Sequence, residues 1–509
     1  MKKTAAVAVC LIIITSLASL PFVSANWLMF RSDHSHSGAS SSSPALNPTP
    51  LWNFTPNTSN DSFSPDNFFA TGWSDPAVVD GVVYISMSGY HTEQFGHYVL
   101  RIGWGGVFAF NALSGAQLWN LTIGSDCSSP AVVDSVVYFS TEGTIVALNA
   151  TNGSQFWSYA TIGAASPPTL ADGVVYVGSR DGFVYALNAT DGAQLWSSTI
   201  GDGASSPAVV DGVVYVGSVY DNGVYALNAT TGAKLWIHST DGGVLSGPAV
   251  VGGIVYMGTW GYKNSTYQWG TFYALNATNG KKLWNYTSND GFGLSPAVAN
   301  GVVYTSFPDG YFYALNATNG DKLWNYTTGS GYSSPAVVGS VVYFGSGDSL
   351  YALNAINGDK LWNSSGGGVS PVVADGVVYF GLGSTVYALG EPYSITPPKI
   401  FVLSPQSQTY NESSVSLVFI FDKPVNWTGY SLDAKENVSI SGNTTITGLS
   451  SGLHNVTVYA EDLFGNFGAS VTIVFKAEPF PILPVAVASV AVVIVVGTVL
   501  LVYFKKRKQ

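Results

Sequence analysis

The chain has 509 residues, of which 10% are charged and 14% are aromatic, and it contains 57 glycines. Its formal net charge of -11 argues against binding to a phosphate backbone, so we expect no nucleic-acid partner. Little charge combined with many glycines and aromatic residues is typical of short strands and turns rather than helices. The composition therefore predicts an all-β protein.

Residues 1–25 have the features of a secretory signal peptide. Lys2 and Lys3 precede an apolar run that ends at Leu20, and small residues up to Ala25 offer a cleavage site. The residues before Cys10 do not resemble a lipoprotein box, so we expect no lipid anchor. Export would leave Cys127 as the single thiol, which we interpret as a small semi-buried apolar residue rather than a reactive group.

His34 and His36 lie on a serine-rich loop that follows this segment. A metal site needs further ligands from elsewhere in the chain, and two histidines two residues apart are a weak signal. We predict no metal site here.

A repeated unit organises the chain from Asp75 to about Leu389, and the copy from Ser206 to Trp236 shows its plan. Two β-branched runs flank Asp211-Gly212, which predicts a hairpin with a type I′ turn because glycine accepts a positive φ. Two further turns separate two more strand-like runs. Four antiparallel strands in about 40 residues are typical of a propeller blade.

The copies can be counted from two markers, the residue pair that opens each unit and the tryptophan that ends it. The openings are Asp75-Pro76, Ser129-Pro130, Ser166-Pro167, Ser206-Pro207, Gly247-Pro248, Ser295-Pro296, Ser334-Pro335 and Ser370-Pro371. The closing residues are Trp119, Trp157, Trp196, Trp236, Trp284, Trp324 and Trp362.

The last copy stops at Gly390 without its fourth strand, and a matching strand with Trp52 stands ahead of the first copy. We therefore predict an eight-bladed β-propeller over residues 26–391 that an N-terminal strand closes, because closure removes exposed sheet edges. The eight tryptophans, Trp52 included, should dock on neighbouring blades.

The run Ala-Leu-Asn-Ala-x-x-Gly-x-x-Leu-Trp resembles the tryptophan-docking repeat of pyrroloquinoline quinone (PQQ) propellers. The resemblance covers roughly Asn26 to Leu389 and implies their fold. The family includes quinoprotein dehydrogenases and also an outer-membrane assembly lipoprotein that uses the repeat without a quinone. The resemblance therefore leaves both an enzyme and a scaffold open.

Two insertions, at 86–106 and 259–271, interrupt the first and fifth units between their second and third strands. Long loops on a rigid scaffold often carry recognition, although packing on neighbouring blades would also explain them and is the simpler interpretation. Both should emerge on the same face. The candidate recognition residues are Tyr90, His91, Glu93, His97, Tyr98, Arg101 and Trp104 in the first insertion, and Trp260, Tyr262, Tyr267 and Trp269 in the second.

After a proline-containing linker at 392–398, residues 399–477 alternate like the strands of a small sandwich. They resemble immunoglobulin-like modules of archaeal surface proteins, and we interpret them as a spacer. Residues 482–504 are apolar and long enough to cross the roughly 30 Å hydrocarbon core. The basic residues that follow predict a cytoplasmic tail at 505–509, with the rest of this single-pass protein outside the cell.

Asn-x-Ser/Thr sequons recur through the exported part. Five occupy equivalent turns in successive units, where a short asparagine side chain also has a structural use, and we predict that some carry glycans. The candidates are Asn57, Asn149, Asn188, Asn228, Asn264, Asn276, Asn316, Asn363, Asn411, Asn443 and Asn455.

The unit openings should rim the central channel, and their residues are small and mostly neutral. A quinoprotein dehydrogenase would need oxygen ligands for Ca²⁺, an aspartate base and a basic residue near the quinone. Asp126, Asp202 and Asp241 lie in glycine-rich loops and are better explained as turn residues.

We therefore predict no catalytic, cofactor-binding or metal-binding residues. The expected function is a membrane-anchored, monomeric surface propeller that binds a protein, glycan or envelope component. A PQQ- and calcium-dependent oxidoreductase and a purely structural envelope protein remain alternatives.

Overall fold

The computed structural model describes residues 32–33, 36–40, 44–56, 68–95, 98–263, 267–288, 294–307, 309–329, 333–347, 349–365, 370–390, 397–421, 425–462 and 466–478. The chain divides into two compact units, Met1–Pro392 and Tyr393–Gln509. The signal peptide, the transmembrane helix at 482–504 and the tail, all expected from the sequence, lie outside the described residues. Within the described ranges, no helix is long and apolar enough to span a bilayer.

The described structure is built from strands, which confirms the all-β prediction. In the first unit, β1 (Ala39–Ser40) and β2 (Thr49–Phe54) precede the repeats. Sheet 1 contains β3 (Phe68–Trp73), β4 (Ala77–Val79), β5 (Val82–Phe95), β6 (Tyr98–Asn111) and β7 (Gln117–Ile123). Sheet 2 contains β8 (Ala131–Val133), β9 (Val136–Ser140), β10 (Thr144–Asn149) and β11 (Gln155–Ala160). Sheet 3 contains β12 (Thr169–Ala171), β13 (Val174–Gly178), β14 (Phe183–Asn188) and β15 (Gln194–Thr199). Sheet 4 contains β16 (Ala208–Val210), β17 (Val213–Ser218), β18 (Gly223–Asn228) and β19 (Lys234–Ser239).

The remaining sheets of this unit follow the same order. Sheet 5 contains β20 (Ala249–Val251), β21 (Ile254–Gly258), β22 (Gly261–Lys263), β23 (Tyr267–Asn276) and β24 (Lys282–Ser288). Sheet 6 contains β25 (Ala297–Ala299), β26 (Val302–Phe307), β27 (Tyr311–Asn316) and β28 (Lys322–Thr327). Sheet 7 contains β29 (Ala336–Val338), β30 (Val341–Ser346), β31 (Ser349–Asn354) and β32 (Lys360–Ser365), with β1 beside β29. Sheet 8 contains β33 (Val372–Ala374), β34 (Val377–Leu382) and β35 (Thr385–Gly390), with β2 as its fourth strand.

The turn between the first two strands of a repeat is the hairpin expected from its sequence. Asp211 and Gly212 have φ values of 50° and 73°, and they join Val210 to its partner Val213. Positive φ at both central positions defines a type I′ turn, whose twist matches that of the flanking strands. The predicted turn type is therefore confirmed.

Because the four strands of a repeat are antiparallel, their connections alternate between two ends. The lower face, as we call it, carries the connections from the first to the second and from the third to the fourth strand. The upper face carries the connections from the second to the third strand and from each fourth strand to the next sheet. The chain leaves β35 at Gly390 on the lower face, where Gly390 pairs with Thr49 of β2.

One carbonyl oxygen per sheet receives two hydrogen bonds from the preceding sheet. The tryptophan Nε1 donors and their carbonyl acceptors are Trp52–Ala112, Trp119–Ala150, Trp157–Ala189, Trp196–Ala229, Trp236–Ala277, Trp284–Ala317, Trp324–Ala355 and Trp362–Ala45, at 2.8–3.2 Å. A tyrosine hydroxyl donates to the same oxygen in every case, from Tyr379, Tyr84, Tyr138, Tyr176, Tyr215, Tyr256, Tyr304 and Tyr343 respectively.

This series is cyclic, since sheet 8 bonds to sheet 1. The innermost strands contact one another in the same closed order, β4-β8-β12-β16-β20-β25-β29-β33 and back to β4. The core consequently lies between successive sheets, where each tryptophan and tyrosine packs on the following repeat. No sheet of this size could bury both faces alone.

The third repeat opens one residue later than the sequence analysis placed it. Its inner strand starts at Thr169, so Pro168, not Pro167, corresponds to Pro130 of the second repeat. Ser166 accepts a hydrogen bond from the backbone of Gly178 at 3.0 Å, as Ser128 does from Ser140. The assignment of Ser166 to the rim was therefore wrong, because Pro167-Pro168 offers two possible alignments.

The second unit contains two sheets that share one core. The first consists of β36 (Ile400–Ser404), β38 (Ser414–Phe421) and β41 (Thr444–Thr447). The second consists of β37 (Thr409–Tyr410), β39 (Val425–Leu432), β40 (Val438–Ser439), β42 (Gly452–Asp462), β43 (Phe467–Ala469) and β44 (Ile473–Ala477). Leu417 and Phe419 of one sheet pack in the same cluster as Val456, Val458 and Phe475 of the other.

Candidate functional site

The rim of the channel consists of short residues, and three of its serine hydroxyls accept hydrogen bonds from a neighbouring sheet. The backbone N–H of Asp75 donates to Ser129 Oγ at 3.2 Å, that of Gly247 to Ser295 Oγ at 3.0 Å, and that of Ser334 to Ser370 Oγ at 3.1 Å. These hydroxyls therefore link adjacent sheets. The rim residues predicted from the sequence are Asp75, Ser129, Ser166, Ser206, Gly247, Ser295, Ser334 and Ser370. In the structure, Pro167 and not Ser166 occupies the rim position of the third repeat.

The space inside the ring holds a segment of the chain itself. The carbonyl of Ser37 accepts a hydrogen bond from Val298 N of β25 at 2.7 Å, and that of Gly38 accepts one from Val337 N of β29 at 2.9 Å. His36 Nε2 lies 2.8 Å from Thr169 Oγ1 of β12. The histidine has no exposed surface.

These residues do not fit a bound PQQ and Ca²⁺. Calcium takes six to eight oxygen ligands, several of them carboxylates, whereas Asp75 is the one carboxylate at the rim positions. The described residues contain no group of three or more histidine, cysteine, aspartate or glutamate side chains that could hold a metal ion. His34 lies outside the described residues, and His36 bonds to a threonine hydroxyl.

Both insertions are extended hairpins rather than irregular loops. Strands β5 and β6 stay paired from Val82–Asn111 out to Phe95–Tyr98, and β3 adds to β5. In the fifth repeat, β22 pairs with the extension of β23. The expectation of loops was wrong because the strands simply continue past the body of the sheet. Both hairpins start from the second-to-third connection, so both lie on the upper face.

The side chains of three candidate recognition residues are described. Tyr90, Trp104 and Trp260 are all half-buried, and Trp104 packs against a core cluster built from the first, seventh and eighth sheets. His97 lies outside the described residues. The backbones of the others lie in the hairpin strands, but their side chains are not described: His91, Glu93, Tyr98, Arg101, Tyr262, Tyr267 and Trp269.

Exposed apolar side chains that the sequence analysis missed also lie on the upper face. Ile162 is 90% exposed between sheets 2 and 3, Tyr220 is 73% exposed at a turn of sheet 4, and Leu245 is 54% exposed between sheets 4 and 5. They lie in ordinary short connections. The only signal in the sequence is that an apolar residue stands where turns usually have a polar one.

The upper face is also acidic. Its described connections carry the guanidinium of Arg180 and the carboxylates of Asp75, Asp126, Glu142, Asp181, Asp202, Asp221, Asp241 and Asp309. Some of these carboxylates hold turns in place. Tyr185 donates its hydroxyl to Asp181 at 2.8 Å and Tyr313 does so to Asp309 at 2.5 Å, while Asp241 accepts from Thr271 at 2.9 Å.

Cys127 is buried, and it lies beside Gly105. Burial and, to a lesser extent, the neighbouring Asp126 raise the pKa of its thiol to about 12. The thiolate is the reactive form, so this cysteine is protonated and unreactive at neutral pH, in line with its interpretation as a small apolar residue.

The five equivalent sequons lie in the third-to-fourth turns of the lower face. At Asn228, Oδ1 accepts hydrogen bonds from the backbone N–H groups of Thr230 and Thr231 at 3.0 and 2.9 Å. The turn at Asn354, which is not a sequon, has the same bond to Ile356 at 2.8 Å. The asparagine therefore has a structural role whether or not a glycan is attached.

Comparisons with known proteins agree with the propeller. A family model described as "Outer membrane protein assembly factor BamB" matches residues 66–160, 103–220, 141–267 and 220–390. A search of curated proteins found no match.

Solved structures include several that resemble the chain. BamB from Moraxella catarrhalis is 20% identical over 68% of this chain and 98% of its own, with a TM-score of 0.48. Quinohemoprotein alcohol dehydrogenase from Comamonas testosteroni is 15% identical over 72% and 80%, with a TM-score of 0.53. The computationally designed protein Ika8 is 15% identical over 63% and 96%, also with a TM-score of 0.53. At such identities the last two comparisons support the fold alone.

The family matches together span residues 66–390, which is more than half of the chain. They coincide with the repeated sheets and with the tryptophan-docking run from which the resemblance was first drawn. The chain therefore belongs to the PQQ-like β-propeller family whose model is described as outer membrane protein assembly factor BamB.

Proposed function

We propose that this chain is a membrane-anchored cell-surface protein whose eight-bladed propeller binds an extracellular partner without catalysis. The expected signal peptide, C-terminal apolar segment and basic tail would place the propeller outside the cell on a single-pass anchor. An immunoglobulin-like second unit would act as the spacer. The family description, an assembly factor, favours a protein partner over a small substrate.

The observation that carries this proposal is the contrast between the two faces. The upper face bears both hairpin extensions and the exposed side chains of Ile162, Tyr220 and Leu245. The lower face bears the five equivalent sequons, the point where the chain leaves the last sheet and one strongly exposed apolar side chain, Ile356. Glycans at these five positions would cover the lower face, whereas a single candidate, Asn264, falls in the insertions of the upper face, which leaves most of that face to a partner. The carboxylates of the upper face favour a partner with a cationic surface, because complementary charges steer association.

A photo-crosslinking residue tests which face binds. It would replace Tyr220 on the upper face or, as a matched control, Ile356 on the lower face, which is similarly exposed and lies outside any sequon, in the full chain on native cells. We expect one recurrent cross-linked protein from position 220 and none from position 356. Equal products from both positions would contradict the proposal.

Shortening the first hairpin tests the extension itself. Thr92 pairs with Arg101, so Asn-Gly in place of residues 93–100 would close the hairpin without changing its register. We expect the cross-link at position 220 to weaken while the melting temperature stays unchanged. An unchanged cross-link would show that the hairpin is not part of the binding surface.

The oxidoreductase alternative has its own test, a thermal melt with and without PQQ plus Ca²⁺. A ligand at about a hundred times its dissociation constant adds about 2.7 kcal/mol to stability. We expect no shift, and a clear shift would favour the enzyme. Regular self-assembly of the purified chain without a partner, seen by electron microscopy, would favour a purely structural envelope protein.

A further inference from the structure

Residues 36–40 cross the ring of inner strands. His36 contacts β12 of sheet 3, while Ser37 and Gly38 bond to β25 and β29 of sheets 6 and 7. In the closed order of inner strands, β25 and β29 lie across the ring from β12. The segment thus connects opposite sides of the channel.

Part of this contact is strand addition. Ala39 and Ser40 form β1, which pairs in parallel with Val337 and Val338 of β29. An inner strand has one edge that faces the channel, and the free N–H and C=O groups of such an edge are a template for another extended segment. Main-chain bonds of this kind give affinity, and side chains add specificity.

The side-chain part of the contact involves one departure from the repeat. Thr169 opens β12 at the position where six other inner strands have alanine: Ala77, Ala131, Ala208, Ala249, Ala297 and Ala336. Its hydroxyl donates to the carbonyl of Pro207 at 2.6 Å. A threonine hydroxyl has a single proton, so its oxygen accepts from His36, and Nε2 of that imidazole carries the hydrogen.

Burial makes this pair selective. Neither His36 nor Thr169 has exposed surface, and a polar side chain enclosed in that way costs free energy unless it is hydrogen-bonded. Alanine at position 169 would leave the imidazole without this acceptor. Thr169, which replaces the usual alanine in β12, therefore supplies the hydrogen-bond acceptor that His36 of the segment requires.

We propose that the central channel is a binding site for an extended peptide and that the chain's own residues 36–40 are the peptide that fills it. The edges of β25 and β29 bind its main chain, and Thr169 selects a histidine. A peptide of the same pattern from another molecule would bind only by displacing this segment. This site is separate from the partner surface of the upper face, so each can fail without the other.

Cleavage of the tether tests the proposal on the complete chain. A protease recognition sequence would be inserted between Ser40 and Pro44, and the purified full-length protein would be cut in detergent. Gel filtration followed by mass spectrometry then shows where the N-terminal fragment elutes. We expect the fragment to stay with the propeller and to exchange with an excess of synthetic peptide 32–43. Loss of the fragment on cutting, with the propeller still folded, would overturn the proposal.

Two substitutions test the side-chain recognition. Thr169→Ala introduces the residue of six other inner strands, so the strand itself should be preserved. Each of Thr169→Ala and His36→Ala should speed release of the cut fragment about tenfold, as expected for loss of one buried hydrogen bond. The double variant should release it no faster than either single variant, because both remove the same bond. If the release rate of the double variant rose by the product of the two single effects, Thr169 would not select His36.

Discussion

Trp362 donates its indole hydrogen to the carbonyl oxygen of Ala45 at 3.0 Å, although 317 residues separate them. Tyr343 donates to the same oxygen at 3.1 Å. Ala45 stands seven residues before Trp52, as Ala229 stands seven residues before Trp236. The N-terminal segment therefore supplies sheet 8 with its docking carbonyl as well as its outer strand, in the same register as every complete repeat.

Removing one docking tryptophan should be costly. Trp196 is buried and packs beside Tyr176 at a ring distance of 5.9 Å. Trp196→Ala should lower the free energy of unfolding by about 3–5 kcal/mol, as large buried truncations do. Trp196→Phe should cost less, since the ring survives and Tyr176 still bonds to Ala229 at 3.2 Å. Urea unfolding followed by fluorescence measures both, and equal losses would mean that the hydrogen bond rather than packing dominates.

Two glycines with the same backbone conformation should respond differently to alanine. Gly232 and Gly212 have φ values of 71° and 73°, so alanine pays about 1–2 kcal/mol of backbone strain at either. A Cβ at Gly232 would also lie 2.6 Å from Cε3 of Trp196, whereas a Cβ at Gly212 would have open space.

We therefore expect Gly232→Ala to cost about 1–3 kcal/mol more than Gly212→Ala, the range for overpacking. Urea unfolding of the two variants side by side makes the comparison. Similar losses would show that the indole can move away from the turn.

Glycosylation of the lower face can be tested by completing a sequon. Asn354 has the turn geometry of Asn228 but is followed by Ala-Ile, and Ile356 is exposed. Ile356→Thr should add a glycan at Asn354 in the native host, while wild-type Asn354 stays unmodified. Peptide mapping by mass spectrometry reads both positions. Unmodified asparagine at 228 and at the new sequon would contradict glycosylation of this face.

The second unit should lose stability as the pH rises through neutrality. His454 bonds to the carbonyl of Ser450 at 2.9 Å and to Asp433 at 2.8 Å, and these contacts raise the pKa of the imidazole above its ordinary 6.5. Because the imidazole has a higher pKa in the folded state than in the unfolded state, its protonation stabilises the fold. This stabilisation is complete below the pKa of the unfolded state and is lost as the pH rises through the pKa of the folded state.

The transition of the second unit is the one that His454→Asn shifts. In the wild type, its melting temperature should accordingly fall between about pH 6 and pH 8. The same transition in the variant should lack this pH dependence. A flat wild-type profile would mean that the imidazole does not titrate there. Thermal melts of the full chain over this pH range provide the measurement.

The repeated part of the fold followed directly from the sequence because each copy repeats the same local chemistry. Asp-Gly determines the hairpin at Asp211, and the missing fourth strand of the last copy pointed to the strand that contains Trp52. The third opening was misplaced at Ser166 because two adjacent prolines fit the pattern equally well. The hairpin extensions were taken for loops because their composition departs from that of the repeats.

The candidate site was less predictable, since it depends on residues that meet only in three dimensions. His36 carries no local signal, and its partner Thr169 lies 133 residues away, as the one polar residue at a position where six inner strands have alanine and one has valine. Ile162 and Tyr220 share a face only because the sheets form a ring. Long-range pairings of this kind are not encoded in periodicity, which reports local structure alone.

The pairing of β2 with β35 also imposes an order on synthesis. β2 is synthesised early, but its partner begins at Thr385, and Thr49 pairs with Gly390 at the far end of the unit. Until then β2 is an unpaired strand edge, the kind of surface on which chains aggregate. Completion of the last repeat is therefore the event that protects β2, and a chain cut short before Thr385 would leave β2 unpaired and recognisable as incompletely folded.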